Sequence, residues 1–110
     1  MEQNESTHTK CPIEKTMSVI GGKWTFLIIR ELFYKTRRFG ELERSLKGIS
    51  PRTLSLRLKE LEDESIIKRE VFSEIPPHVE YSLTDKGQSL LPIFNAMKEW
   101  GNTWDVSGKD

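Results

Sequence analysis

The stretch SPRTLSLRLKELE, residues 50–62, decides the fold. Leu54, Leu58 and Leu61 recur at helical spacing, and at about 100° per residue they cluster within about 60°. Ser50 is placed to cap the helix. Pro51 takes the first helical position, where the amide hydrogen it lacks would be unpaired anyway. The far side carries Arg52, Leu56 and Lys59. Thr53 and Ser55 flank them near the N-terminal end, and Arg57 emerges at the border of the buried stripe. One face goes inward. The other is a set of hydrogen-bond donors around one exposed leucine, and it needs a partner.

Upstream, FGELERSL reads as a short helix with Phe39, Leu42 and Leu46 on one side. The KGI that follows offers Gly48 for a left-handed turn. Two short helices joined by a tight glycine turn predict a helix-turn-helix. Downstream, IIKREVF is rich in β-branched and aromatic residues, SEIPPH is a turn, and VEYSL alternates as a returning strand. Helices followed by a hairpin predict a winged helix with a two-stranded wing, in an α+β, mostly α, fold.

Farther out, CPIEKTMSVI predicts a first helix with Cys11 at its N-cap and Pro12 at its first position. Ile13, Met17 and Ile20 share one face, and Gly21-Gly22 ends the helix. KWTFLIIRELFY predicts a second helix, apolar on nearly all sides. Trp24, Leu27, Ile28 and Leu32 form one stripe, interrupted by Glu31. Phe26, Ile29 and Phe33 form another, offered to a partner chain. Thr84-Asp85 caps a long final helix reaching about Trp104, with a kink expected at Pro92. Leu90, Phe94, Met97, Gly101 and Trp104 fall with Ile93 on one stripe of it, Trp100 at the edge, and this stripe is expected to dimerise. The chain has 110 residues and reads as one domain over residues 11–110, behind a polar tail at 1–10 expected to be disordered. With 35% hydrophobic residues its core is lean, which favours a partner subunit.

Net charge is zero, but it is segregated. Residues 35–59 hold eight basic and two acidic groups, whereas residues 60–110 hold five basic and eleven acidic ones. The opening helix lies in the positive segment, which fits a local polyanion. A helix docked in the major groove uses its N-terminal turns on base edges. Arginine bonds guanine in bidentate fashion, and serine and threonine bond bases or phosphates. Leu56 is placed to pack on a thymine methyl. The expected DNA contacts are therefore Ser50, Arg52, Thr53, Ser55, Leu56, Arg57 and Lys59. Arg38 joins them from the basic segment, and His78 from the hairpin tip. A winged-helix module that binds protein instead of DNA is the alternative, given the acidic C-terminal half.

Other classes find little support. No Ser/His/Asp set, paired acids or phosphate loop suggests an enzyme. His8 and Cys11 fall short of the four ligands structural zinc requires, so no metal or cofactor is expected. No apolar run approaches the ~20 residues of a membrane span. One cysteine permits no disulfide within the chain, and a soluble cytoplasmic protein is expected.

The segments CPIEKTMSVIGGKW, RRFGELERSLKGIS, LSLRLKELEDESIIKR and PPHVEYSLTDKGQSLLPI, with a closing tryptophan, resemble the HxlR-type transcriptional regulators, a bacterial group of dimeric winged-helix proteins. The resemblance spans roughly residues 11–100. One departure is Ser65, where the family usually carries glycine before its apolar pair. The resemblance implies a homodimer formed mainly by the terminal helices, acting on a paired operator with reading helices about 34 Å apart. Some members are thiol-based sensors of oxidants or electrophiles, with a cysteine at the position of Cys11. The N-cap faces the positive end of the helix dipole, and Lys10 and Lys15 lie nearby, a setting that suits a reactive thiolate. With one cysteine per chain, oxidation ends in a sulfenic acid, a capped thiol, an adduct or a bond to another chain, Cys11 of a second subunit being the natural partner.

Overall fold

A computed structural model describes residues 11–104. The tail at 1–10 lies outside the described residues. The element order is α1 (Pro12–Ile20), α2 (Lys23–Tyr34), β1 (Arg37–Arg38), α3 (Phe39–Ser45), α4 (Pro51–Asp63), β2 (Ile67–Phe72), β3 (His78–Leu83), α5 (Asp85–Gln88) and α6 (Leu91–Thr103).

Helix α2 is the central pillar. Its Ile28, Ile29 and Leu32 are buried, and they pack with Leu42 and Leu46, with Leu54, Leu58 and Leu61 of α4, and with Ile66 and Ile67 at the start of the hairpin. Gly21 ends α1, and Gly22, at φ 89°, turns the chain into α2. The turn between α3 and α4 uses Gly48 at φ 94°. A side chain is disfavoured in that backbone region, which is why glycine stands there.

The wing is the expected hairpin, with Ile67 opposite Leu83 and Phe72 opposite His78. A third strand is added: β1 pairs antiparallel with β3, placing Arg37 opposite Tyr81 and Arg38 opposite Glu80. Two residues are too few to show a period in sequence. Glu31, the polar interruption in α2, finds its reason here. It accepts from Arg37 at 3.2 Å and Arg30 at 3.3 Å, tying α2 to the short strand.

The final helix departs from expectation. It is two helices, broken at Ser89-Leu90, and not one helix kinked at Pro92. In a continuous helix the Pro92 ring would meet the carbonyl of Gln88, and its amide could not bond there. The chain instead ends α5 at Gln88 and restarts with Pro92 in the first turn of α6. Helix α5 is riveted to the α4–β2 turn. Thr84 Oγ1 donates to the Ile66 carbonyl at 3.0 Å and accepts the Gly87 amide hydrogen at 3.1 Å. Lys86 Nζ donates to the Glu64 carbonyl at 2.9 Å. A Cβ on Gly87 would lie 2.3 Å from the Ile66 carbonyl oxygen, so only glycine fits. Ser65, within the same turn, has φ 62°, the left-handed region glycine adopts freely.

Candidate nucleic-acid interface

Helix α4 begins at a built cap. Ser50 Oγ accepts the Thr53 amide hydrogen at 3.0 Å, and the Ser50 hydroxyl donates to Thr53 Oγ1 at 3.0 Å. The two hydroxyls thus serve the cap before any ligand. Leu54, Leu58 and Leu61 are buried, which turns the opposite face outward. On that face Arg52, Ser55, Leu56 and Lys59 are exposed, and Leu56 keeps 50% of its surface open. Arg57 is half-buried and pairs with Glu60 at 2.8 Å, and Lys59 pairs with Asp63 at 3.2 Å. Arg52 has no ion pair among the described residues. Its donors are the best placed on this helix for an outside acceptor.

Arg38 is exposed at the start of α3, beside Lys35. Its amide hydrogen bonds Glu41 Oε1 at 2.8 Å. That bond, helped by the charges of Lys35, Arg37 and Arg38 against a smaller effect of burial, holds the Glu41 carboxyl below its ordinary range. The carboxylate that caps α3 also lies against this basic strand.

The wing corrects one expectation. His78 is not a free group at the tip but the first residue of β3. Its ring stacks on Phe72 with centroids 4.8 Å apart, and Nε2 contacts Glu80 Oε2 at 3.0 Å. Glu74 lies 3.7 Å from the other ring nitrogen. A histidine stacked and flanked by two carboxylates is poorly placed to meet a phosphate. The tip itself holds Ile75, 99% exposed, beside Pro76 and Pro77, with Ser73 and Glu74 also exposed.

Two further sites were expected. Cys11 caps α1 and is exposed. Its Sγ accepts the Glu14 amide hydrogen at 3.4 Å, while its own amide donates to Glu14 Oε1 at 3.1 Å. The reciprocal carboxylate beside the sulfur was signalled by Glu14 three residues after the cap, a pairing the sequence reading passed over. Lys10 lies outside the described residues.

The expected dimer stripe divides. Ile29 is fully buried in its own chain, and Leu90 and Phe94 are also core. Phe26 stacks on Phe94 at 4.2 Å and Phe33 meets it edge-on at 5.0 Å, so both are partly buried. These five residues serve first inside the chain. Met97, Trp100, Gly101 and Trp104 remain exposed. Ile93, on the same stripe, and Ile13 and Met17 of α1 are also large exposed apolar residues.

The sequence pattern "HxlR-like helix-turn-helix" matches residues 19–108. The chain belongs to the HxlR family. A helix-turn-helix regulator of Synechocystis is 47% identical over 94 residues, covering 86% of this chain and 70% of its own. Among solved structures, the redox regulator HypR in its oxidised form superposes with a TM-score of 0.80 at 46% identity, covering 87% of this chain and all of HypR. The reduced form of the regulator YodB from Bacillus subtilis gives a TM-score of 0.80 at 37% identity, covering 92% of this chain and all of that one. This chain is thus an HxlR-family helix-turn-helix transcriptional regulator with a winged-helix fold, and DNA is the partner of its class. Among the described residues, no helix is long and apolar enough to cross a membrane, and no group of three His, Cys, Asp or Glu side chains could hold a metal.

Proposed function

We propose that this HxlR-family chain binds a paired operator as a homodimer, reads each half-site with the outer face of α4, and responds to oxidants or electrophiles through Cys11. The observation that carries the reading is the uncovered face of α4, where Arg52, Ser55 and Leu56 project beside an N-terminal turn. Arg52 is the base-reading residue, Leu56 the apolar contact, and Ser55 a base or phosphate donor. Arg38, with Lys35, is a phosphate contact. Arg57 and Lys59 contribute mainly charge, because each is shared with a carboxylate on its own helix.

The dimer seam runs along Ile93, Met97, Trp100 and Gly101 of α6 and Trp104 at its C-cap, and Ile13 and Met17 of α1 are further exposed apolar side chains open to a partner. Large apolar side chains left exposed together along one helix are the usual mark of an interface. Cys11 at the exposed cap of α1 supports the redox part. Its sulfur accepts a backbone hydrogen bond, so an added oxygen or adduct disturbs the cap that starts the helix. HypR, one of the structural relatives, is itself a redox regulator.

The test is a selection of bound duplexes from a random library, with and without oxidant. The expected result is a two-part site, bound by the wild type in reductant, released in oxidant, and still bound by Cys11→Ser in oxidant. An equal oxidant response in both proteins removes the sensing role. Failure to enrich any duplex at low salt removes the operator reading.

A further inference from the structure

The wing ends in a turn of five residues, 73–77, all of them exposed. No lysine or arginine stands in it, and Lys68 and Arg69 lie toward the other end of β2. Ile75 keeps 99% of its surface open, more than any other large apolar residue among those described. Its setting is braced. Pro76 and Pro77 each fix a backbone dihedral. The His78 ring stacks on Phe72 and engages both neighbouring carboxylates, Glu80 at 3.0 Å and Glu74 at 3.7 Å. Glu70 lies farther back, opposite Glu80. The two acids nearest the turn are thus held to the imidazole. Ile75 is left with almost no contact to its own chain.

A tip without cations offers little to a phosphate. What it offers is a stiffly mounted isoleucine, the kind of side chain that enters a minor groove and parts a base step. The hairpin is long enough to bring it there. Each strand has six paired residues, and at about 3.3 Å per residue the apex stands roughly 20 Å from the junction with α4. A major groove and the minor groove beside it are separated by half a helical turn, roughly 17 Å.

We propose that Ile75 is an apolar wedge: it enters the minor groove beside each half-site, partly unstacks one base step and bends the duplex. It thereby adds specificity without a hydrogen bond to any base, because pyrimidine–purine steps such as TA and CA open more easily than others. The inference rests on the reading of α4 as the helix that enters the major groove.

The experiment takes a duplex enriched by the full chain, carries a fluorescent donor and acceptor on its two ends, and reads the end-to-end distance at saturating protein. The expected wild-type result is a bend of about 20–90°. Ile75→Ala is expected to lose most of the bend and to bind about tenfold more weakly, with the slope of log affinity against log salt unchanged, because no phosphate contact is removed. Its melting temperature without DNA stays that of the wild type, since the side chain is almost wholly in solvent. Binding without a bend, an equal bend in Ile75→Ala, or affinity lost together with the salt slope overturns the wedge and leaves the reading by α4 standing. A changed association state in Ile75→Ala with the bend intact gives the tip to a second copy and overturns it too. Failure to enrich any duplex at low salt overturns the wedge and the reading by α4 together.

Discussion

Helices α4 and α6 are each 13 residues long, but α4 gives Leu54, Leu58 and Leu61 to the core whereas α6 gives Phe94 alone. They differ in what they leave outside. Around Leu56, α4 exposes Arg52, Ser55 and Lys59, whereas α6 exposes Ile93, Met97, Trp100 and Trp104. A surface of charged donors is comfortable in water and gains further from a polyanion. A surface with two tryptophans, each 61% exposed, gains most when water leaves it. The exposed faces of the two helices differ in the chemistry they offer a partner.

The strongest way to break this contrast is to make α6 resemble α4. Trp100→Glu is expected to weaken self-association by about 2–4 kcal/mol, the range of an aromatic hot spot. Sedimentation across concentration reads it, and an unchanged association state would move the seam elsewhere. Next in size is Arg52→Ala on α4, expected to lower discrimination between operator and random duplex by about 1–3 kcal/mol with self-association intact. Competition binding at fixed salt measures it. Unaltered discrimination would show that the reading face is misplaced.

A smaller effect probes the joint between α4 and the wing. Ser65→Gly is expected to stabilise the fold by about 0.5–1 kcal/mol, because relief of the left-handed backbone exceeds the entropy glycine loses. Denaturant melts with the same slope as wild type are the check. The smallest concerns Glu41. Its folded carboxyl titrates below its ordinary value, so its contribution is present above the usual carboxylate range and fades as pH falls through the folded value. Thermal melts between neutral and acid pH should show Glu41→Gln with a shallower acid loss than wild type. Parallel curves would mean the cap bond to Arg38 carries no linkage.

Much of this was legible in the sequence, for reasons that can be named. The leucine spacing of α4, the Ser-Pro start, Gly48 and the Pro-Pro turn each encode local geometry, and each appears where the residues put it. What escaped depended on contacts far along the chain. Nothing local pairs Arg37-Arg38 with Tyr81 and Glu80, so β1 was invisible and Glu31 lacked a partner. Helical projection grouped Leu90 and Phe94 with Met97 and Trp104, but it cannot tell a stripe facing the chain's own core from one facing outward. Ile29 failed for the same reason. His78 looked free because a turn residue is usually polar and open, whereas a ring stacked on Phe72 is settled by strand register.

The rivet at Thr84 has a mechanical consequence. Its hydroxyl clasps the backbone where the reading helix hands over to the wing, and Gly87 lies flush against the same carbonyl. Helix α4 and the wing are thereby pinned to each other at their junction. In the dimer proposed above, a change in the spacing of the two α4 helices would then arise where α6 leaves the core, past Phe94.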